Sequence, residues 1–466
     1  MPSESFQGPS ILPSPQFGLG SESTAAEGSP NGPHFGGSLS LAEPHENKKA
    51  SIAMQMVRFT TLFPRATLHC LSRHSKHDLT NGVSMQIDHD EIMRRAAAIS
   101  PTLSAHAREC DAARKLTAES MATVVDAGMF RIPQPRRVGG YELSLRTLAD
   151  AVTGISEACP SSGWVLMVMG AHHWCMGSFP EAAQDEVFGD GRDGQVAGTL
   201  SSQGTARAVE GGVSVDGRWQ FCSGVDHADW VILGCADAAS HAPMVHVVVP
   251  RAELEVDDTW HVMGLQGTGS KDVLAHDLFV PAHRTIDTKI LFRGASPHAA
   301  NHATNLYRLS AEAMLSVSVA TAVLGSAKFA LGQFIERTRE RRVILTGARK
   351  SEHGPTQVRL SEAAAEIHSA DLLLHDVLGE FDRLMATGER FDNSHRVRAK
   401  WQAAYSVELC RRAVGRMFAG SGAHAVYTPS ALQAAFRNVN VGAQHASVDF
   451  DNSAELYARA RLDLGS

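Results

Sequence analysis

Three features are missing from the sequence, and each absence excludes a class of protein. The seven cysteines are scattered and include no Cys-x-x-Cys pair, which argues against a disulfide framework or a metal site and favours reduced thiols in a cytoplasmic protein. No apolar run reaches the roughly 18 residues that a bilayer-spanning helix needs, so we expect no membrane association. The formal net charge is −7, so we expect no nucleic-acid surface.

The first 84 residues differ in composition from the rest of the chain. Up to about residue 47 they are rich in Ser, Gly and Pro with little apolar content, a composition that is typical of disorder. Residues 48–84 carry six Lys or Arg residues and a single acid, which resembles a transit peptide, although the segment lies far inside the chain. The alternative is an extension ahead of a natural start at Met85. We predict that residues 1–84 are disordered or lie outside the folded domains.

The remaining sequence changes its hydrophobic periodicity twice, which predicts an α+β protein of several domains. The predicted parts are an N-terminal helical domain (85–195), a small central β barrel or sandwich (196–295) and a C-terminal four-helix bundle (296–466). In the first part we predict a helix over 117–127 that Gly128 stops, a second over 143–158, and a third that begins at Pro160.

The central part contains the stretch 219–224, Trp-Gln-Phe-Cys-Ser-Gly. Alternating apolar residues lie on both sides of Asp216-Gly217, which predicts a β-hairpin with its turn at these two residues. The second strand would end at Ser223. Because glycine has no Cβ, Gly224 would let a ligand approach the backbone closely. Such a strand end is also common as a purely structural feature.

The helix that begins at Pro160 places Trp164, Val168 and His172 on one face, since they recur at every fourth position. Gly170 makes the helix thin beside His172, which would admit a planar ligand. A histidine in such a helix is more often packed or exposed than functional, and the adjacent His173 is an equal candidate.

Four arginines gather near the end of one helix of the predicted bundle. They are Arg337, Arg339, Arg341 and Arg342. The C-terminal end of a helix favours cations, so the cluster is either a solvated face or a phosphate contact, and the sequence does not distinguish the two.

Helices, then strands, then a helical bundle is the layout of acyl-CoA dehydrogenases, and several motifs resemble that superfamily. Residues 264–270, Gly-Leu-Gln-Gly-Thr-Gly-Ser, are similar to its β-domain signature. Residues 437–438, Arg-Asn, and 444–447, Gln-His-Ala-Ser, occupy the segment where dehydrogenases carry Arg-Asp and then Glu-Gly-Thr. No Asp or Glu lies between 437 and 448, and this missing base argues against desaturation of an acyl thioester.

Five motifs together resemble the oxygenase component of two-component flavin-dependent aromatic monooxygenases. They are 159–164 (Cys-Pro-Ser-Ser-Gly-Trp), 170–172 (Gly-Ala-His), 219–224, 307–308 (Tyr-Arg) and 444–445 (Gln-His). The resemblance implies hydroxylation of a phenolic or other aromatic substrate by O2, through a flavin C4a-hydroperoxide. Reduced flavin would come by diffusion from a separate NAD(P)H:flavin reductase, and FMN is expected more than FAD. A homotetramer is also implied.

The same resemblance gives roles to individual residues. Ser223 would hydrogen-bond flavin N5, and His445 would lie beside the flavin in place of the lost carboxylate. His172, or alternatively His173, would accept the phenol proton, for which the ordinary imidazole pKa of about 6.5 is suitable. The other expected flavin contacts are Trp164, Gly224, Arg308, Gln444 and, for the flavin tail of a neighbouring subunit, Gly420, Ser421 and Gly422. The expected substrate contacts, besides the histidines, are Thr199 and Ser201.

Three alternatives remain at this stage. A flavin desaturase would need a base from elsewhere, for instance Glu312 or Glu366. A monooxygenase of the same fold that acts on sulfur, nitrogen or an indole ring would share most flavin contacts. A non-enzymatic protein of this fold is disfavoured because it would not need one polar set together. The set is Ser223, His172, Arg308 and His445.

Overall fold

The computed structural model describes residues 87–189, 193–343 and 346–464. The prediction about residues 1–84 and a start at Met85 lies outside these residues. The helices are α1 (His89–Ala113), α2 (Ala118–Asp126), α3 (Leu145–Ala158), α4 (Pro160–Met176), α5 (Glu181–Phe188), α6 (Thr288–Phe292), α7 (Ala311–Glu340), α8 (Gly354–Thr387), α9 (Asn393–Gly420), α10 (Ala431–Gly442) and α11 (Phe450–Arg461). The strands are β1 (Val196–Val209), β2 (Gly212–Cys222), β3 (Trp230–Asp237), β4 (Pro243–Pro250), β5 (Glu255–Asp257), β6 (Lys271–Pro281) and β7 (Thr285–Asp287).

The predicted helices near the N-terminus are confirmed, and side-chain caps set where they begin. The Thr117 side chain accepts from the Ser120 backbone N–H at the start of α2, and the Ser144 side chain accepts from the Thr147 backbone N–H at the start of α3. Pro160 occupies the first turn of α4, where its missing N–H costs nothing.

The helix α4 is buried along its whole length. A helix that is apolar on every side belongs in the centre of a fold rather than at its surface. It packs against α3, α7 and β1, and therefore touches helices and strands from all three parts of the sequence. The boundaries of separate domains near residues 195 and 295 stay a prediction.

The strands form one mixed sheet with the order β5-β6-β2-β1-β3-β4-β7, in which only β1 and β3 pair in parallel. Buried side chains of the sheet form a hydrophobic cluster of their own that includes Trp219, Val231 and Val247. The described strands thus form a single sheet with its edges at β5 and β7.

The predicted hairpin turn at Asp216-Gly217 is wrong. Both residues lie inside the continuous strand β2, and the chain turns instead between Val209 and Gly212. The reason is a bulge: the pairing of β2 with β6 shifts register at Gly217, whose φ is +147°. A Cβ at Gly217 would lie 2.7 Å from Gly204 Cα on β1, so the glycine allows β2 and β1 to approach each other closely.

The C-terminal helices α7, α8, α9 and α10 form the predicted bundle, and α11 packs on α9. Among the described residues, α7 is the one helix that is long and apolar enough to cross a membrane. The apolar-run criterion overlooked it because Ser and Thr residues interrupt the run. Since 78% of its most apolar stretch is buried inside the fold, α7 is the core helix of the bundle.

Candidate active site

A chain of hydroxyl groups lies between α4 and the sheet. Trp164 Nε1 donates to Ser223 Oγ at 3.2 Å, and Ser223 Oγ lies 2.6 Å from Ser270 Oγ. Ser270 Oγ lies 2.8 Å from Thr268 Oγ1, which donates to the Leu265 carbonyl at 2.8 Å. We call this set, from Trp164 to the Leu265 carbonyl, the hydroxyl relay. All its side chains are buried.

Ser223 is held at this position by an unusual backbone at the end of β2. Phe221 has φ +67°, a left-handed conformation that is strained for an aromatic residue, and Gly224 has φ +76°. The Gly224 N–H donates to the Thr268 carbonyl at 2.9 Å. A Cβ at Gly224 would lie 2.8 Å from Met169 Sδ on α4, so only glycine fits here.

Phe221 is a residue that sequence reasoning missed. The alternation of β2 predicts that it shares a face with buried Trp219, but Phe221 is 63% exposed. The register of β2 on β6 shifts between Trp219 and Cys222, and this second bulge turns the Phe221 ring outward. The ring lies edge-on to Trp260, with centroids 6.3 Å apart. An exposed aromatic ring on a strained backbone two residues before Ser223 indicates a contact surface.

His445 approaches Trp164 from the loop that follows α10. The two rings meet edge to face, with centroids 5.9 Å apart, and His445 is half-buried. Its Nδ1 accepts from the Ser447 backbone N–H at 3.2 Å. Burial lowers the pKa of His445 to about 4, so the ring is neutral at pH 7. Because a backbone N–H can only donate, Nδ1 carries no proton, and the neutral ring presents an Nε2–H donor.

His172 lies two turns along α4 from Trp164, about 12 Å away by the rise of a helix. It is 3% exposed, and its Nδ1 has no hydrogen-bond partner. Burial, and secondarily the charge that His246 would carry, lowers the pKa of His172 to about 3, and a weaker interaction with the Val168 backbone one turn earlier opposes the shift. A buried polar atom without a partner is uncommon and requires an explanation.

His173 differs from its neighbour in having both ring nitrogens bonded. The Val196 backbone N–H donates to Nε2 at 3.2 Å, so Nδ1 carries the proton and donates to Gln134 Oε1 at 3.2 Å. The ring packs between Phe130 and Phe188. Burial lowers the pKa of His173 to about 3, and the ring is a neutral structural link between α4 and β1.

Thr199 and Ser201 lie on an irregular part of β1, where the register with β3 shifts. Thr199 Oγ1 and Ser201 Oγ are 3.2 Å apart, with Thr199 buried and Ser201 exposed. The carbonyl of Leu200 between them accepts from His246 Nε2 at 2.9 Å. This bond joins the irregular segment to β4.

Arg308 and Gln444 are both exposed, and the chain by itself does not bring Arg308 to the relay. Trp174 Nε1 donates to the Leu306 carbonyl at 3.1 Å, which places the segment of Arg308 near the far end of α4. Trp174 is ten residues, about 15 Å, beyond Trp164. The flavin contact of Arg308 therefore stays a prediction.

Gly420, Ser421 and Gly422 lie at the C-terminal end of α9, beside the arginine cluster. The Ser421 carbonyl accepts from Arg341 Nη1, and a Cβ at Gly422 would lie 3.1 Å from the same guanidinium group. Arg337 Nε is buried without a partner. Burial and the nearby Arg341 charge lower the pKa of Arg337, as expected for two cations that share no anion.

The two carboxylates considered as alternative bases are both paired. Glu312 accepts from Arg396 Nη1 at 2.9 Å and from Lys400 Nζ. Burial would raise the pKa of Glu312, but these two cations outweigh it and lower the pKa. Glu366 Oε1 lies 3.0 Å from Arg416 Nη2. Among the described residues, no group of three or more His, Cys, Asp or Glu side chains could hold a metal ion.

Comparisons with known proteins agree with this fold. A family model described as acyl-CoA dehydrogenase, C-terminal domain, matches residues 317–450. A pigment production hydroxylase from Rhodococcus sp. (strain ATCC 21145) is 33% identical over 383 residues, which are 82% of this chain and 98% of the relative. The FADH(2)-dependent resorcinol hydroxylase, oxygenase component, from Rhizobium sp. (strain MTP-10005) is 29% identical over 388 residues, or 81% and 95% of the two chains.

A solved structure gives the same result at the level of the fold. The crystal structure of 3-HSA hydroxylase from Rhodococcus sp. RHA1 superposes with a TM-score of 0.77 at 30% identity, covering 81% of this chain and 98% of that chain. The family and the fold predicted from the motifs are confirmed. The chain belongs to the oxygenase components of two-component flavin-dependent monooxygenases, which are built on the acyl-CoA dehydrogenase fold.

Proposed function

We propose that this enzyme hydroxylates a phenolic ring, with Ser223 and His445 serving the flavin and His172 serving the substrate. When bound, reduced flavin supplies the electrons that activate O2, and one oxygen atom goes to the ring. The proposal rests on one observation. The same helix has a hydroxyl group, that of Ser223, beside Trp164, and two turns further on it has a buried imidazole, His172, whose Nδ1 has no partner.

The residues present fit a flavin. Ser223 offers a hydroxyl oxygen and His445 an N–H donor, both beside Trp164, and Phe221 offers an exposed ring two residues before Ser223. These groups would bind and orient the ring system of the cofactor, and the Nε2–H of His445 would hold a proton close to where oxygen reacts.

At the other end of the site, His172 would accept a hydrogen bond from the phenol O–H. This bond raises electron density on the ring, which favours attack by an electrophilic oxygen. The pKa of about 3 describes a site without substrate. A phenolate beside the ring would raise the pKa of His172, since an opposite charge favours the protonated form. Because His173 already uses both nitrogens, we assign this role to His172.

The alternative flavin desaturase has less support. It needs an unpaired carboxylate near the cofactor, and both candidates, Glu312 and Glu366, are held by Lys or Arg side chains. Thr199 and Ser201, on the irregular part of β1, stay our candidates for further substrate contacts.

The identity of the flavin and the assembly are finer proposals. The sequence favoured FMN over FAD, whereas the resorcinol hydroxylase relative is named for its dependence on FADH(2), and we therefore propose reduced FAD. The cluster of Arg337, Arg341 and Gly422 would take the phosphate groups of a flavin tail from a neighbouring subunit of a homotetramer. The relative's designation as an oxygenase component implies a separate reductase. A cytoplasmic location stays a prediction.

The test is to mix the purified enzyme with chemically reduced FAD or FMN, air and a panel of simple phenols. We expect a hydroxylated phenol, formed without any reductase present. Reduction of enzyme-bound oxidised flavin by an acyl-CoA, with no hydroxylation of any phenol, would overturn the proposal.

A further inference from the structure

One direction of the hydroxyl relay lets every hydroxyl proton reach an acceptor within the relay, because one end can only donate hydrogen bonds and the other can only accept them. The indole N–H of Trp164 has no lone pair to offer, and the carbonyl of Leu265 has no proton. Three hydroxyl groups, Ser223, Ser270 and Thr268, lie between these ends at distances of 2.6 and 2.8 Å from one another.

The direction follows step by step from the carbonyl end. Thr268 Oγ1 uses its proton on the Leu265 carbonyl, which also accepts from Trp260 Nε1. Ser270 must therefore donate to Thr268, since Thr268 has no second hydroxyl proton. By the same reasoning Ser223 must donate to Ser270. Ser223 accepts from Trp164 Nε1 and is left with one free lone pair and no free proton.

We propose that Ser270 and Thr268 make the flavin site selective for reduced flavin, by fixing Ser223 as a hydrogen-bond acceptor. This inference rests on the proposed function, in which Ser223 faces flavin N5. Reduced flavin carries a proton on N5 and can donate to the free lone pair of Ser223. Oxidised flavin has only a lone pair on N5, so the two lone pairs would repel each other unless the relay were broken.

Two substitutions allow the hydrogen bonds of the relay to change direction while Ser223 itself is kept. Ser270→Ala removes the acceptor for the Ser223 proton, so that Ser223 can turn and donate to oxidised flavin. Thr268→Val keeps the shape but removes the acceptor for Ser270, so that Ser270 can donate to Ser223 and reverse the relay. A matched control is Ser326→Ala on α7, which removes a buried hydroxyl that donates to the Ala322 carbonyl and not to a residue of the relay.

The measurement is the dissociation constant of each flavin redox state, with the reduced state measured anaerobically. We expect wild type and Ser326→Ala to prefer reduced flavin, and the preference to fall about tenfold in Ser270→Ala and Thr268→Val, the effect of one hydrogen bond. The midpoint potential of bound flavin reports the same change independently of turnover, and tenfold corresponds to about 30 mV for a two-electron couple.

The outcomes separate this inference from the function on which it rests. If wild type binds no flavin in either state, both are overturned. If wild type prefers reduced flavin and folded Ser270→Ala and Thr268→Val keep the full preference, the relay does not set it and only this inference is overturned. Thermal melting of each variant shows whether it is folded, and the isosteric Thr268→Val remains informative if Ser270→Ala does not fold.

Discussion

The two residues of α4 to which we give roles, Trp164 and His172, are both buried, but they differ in how their polar atoms are paired. At the Trp164 end every hydroxyl of the relay has a partner within the chain. At the other end His173 is fully bonded, whereas the adjacent His172 leaves Nδ1 without a partner. Burying an unpaired polar atom costs about 1–3 kcal/mol, and our proposal explains this cost at His172 by a bond that the substrate completes.

The sharpest way to break this comparison is His172→Ala. If His172 serves the substrate, the rate of hydroxylation falls at least about 100-fold, which is typical for loss of an acid–base group. Reoxidation of the bound reduced flavin by O2 continues, because the groups round Trp164 are intact. Product and H2O2 are quantified together, and the electrons should appear as H2O2. Equal loss of both processes would show that His172 supports the flavin site instead.

A change at the Trp164 end should also lower the yield of product, but it should leave phenol binding intact. Ser223→Ala removes the proposed contact between the relay and flavin, and the yield of hydroxylated product per reduced flavin should fall about 10- to 100-fold, as expected for loss of a hydrogen bond worth 1–3 kcal/mol. Affinity for the phenol should stay unchanged, because His172 is untouched. If Ser223→Ala instead bound phenol more weakly and still coupled flavin oxidation fully to hydroxylation, the assignment of Ser223 to the flavin and His172 to the phenol would be contradicted.

The two neighbouring histidines give a smaller, structural test. His173→Ala removes a ring packed between Phe130 and Phe188 and leaves the Val196 N–H unpaired, so we expect a loss of about 2–5 kcal/mol in the free energy of unfolding. His172→Ala should cost less, since Nδ1 of His172 has no hydrogen-bond partner to lose. Denaturant unfolding of the two variants beside wild type measures the difference. The reverse order would show that His172 is the structural residue.

Much of this arrangement could be predicted from the sequence, and the exceptions have physical causes. Trp164 and His172 lie on one regular helix, whose period of 3.6 residues fixes their common face. Ser223 was placed correctly at a strand end, but Asp216-Gly217 gave a bulge where a turn was expected, because tertiary pairing with β6 overrides the local turn signal. The exposure of Phe221 was also missed because of a bulge, since buried and exposed side chains alternate only in regular strands.

The partners within the relay depend on contacts between distant segments, which periodicity does not report. Ser270 is 47 residues from Ser223, and only the pairing of β2 with β6 brings the two hydroxyl groups together. Likewise the choice between His172 and His173 depends on Gln134 and Val196, which approach from elsewhere in the chain. The glycine-rich sequence around Ser270 resembled a family signature but did not indicate which residue Ser270 contacts.

The smallest expected effect is on pH dependence, and it tests both ends of α4 at once. Burial lowers the pKa of His172 to about 3 and that of His445 to about 4, so both rings stay neutral as the pH falls from 8 to 5. The value of kcat/KM for the phenol should therefore show no acid limb near pH 6.5, the ordinary pKa of histidine, and should fall only near pH 4.

The same shifts act on stability with a definite sign. In the unfolded chain a histidine takes up its proton near pH 6.5, whereas in the folded enzyme His172, His173 and His445 do so only near pH 3–4. The unfolded state thus binds more protons in this range, and each histidine lowers the free energy of unfolding by about 1.4 kcal/mol per pH unit as the pH falls below 6.5. Assays below pH 6 must therefore be run well under the melting temperature. The contrary result is a fall in kcat/KM near pH 6.5 that is still seen well below the melting temperature and that is absent in His172→Gln. It would mean that solvent protons reach His172. The burial and the unpaired nitrogen of His172 would then not distinguish this end of α4 from the Trp164 end.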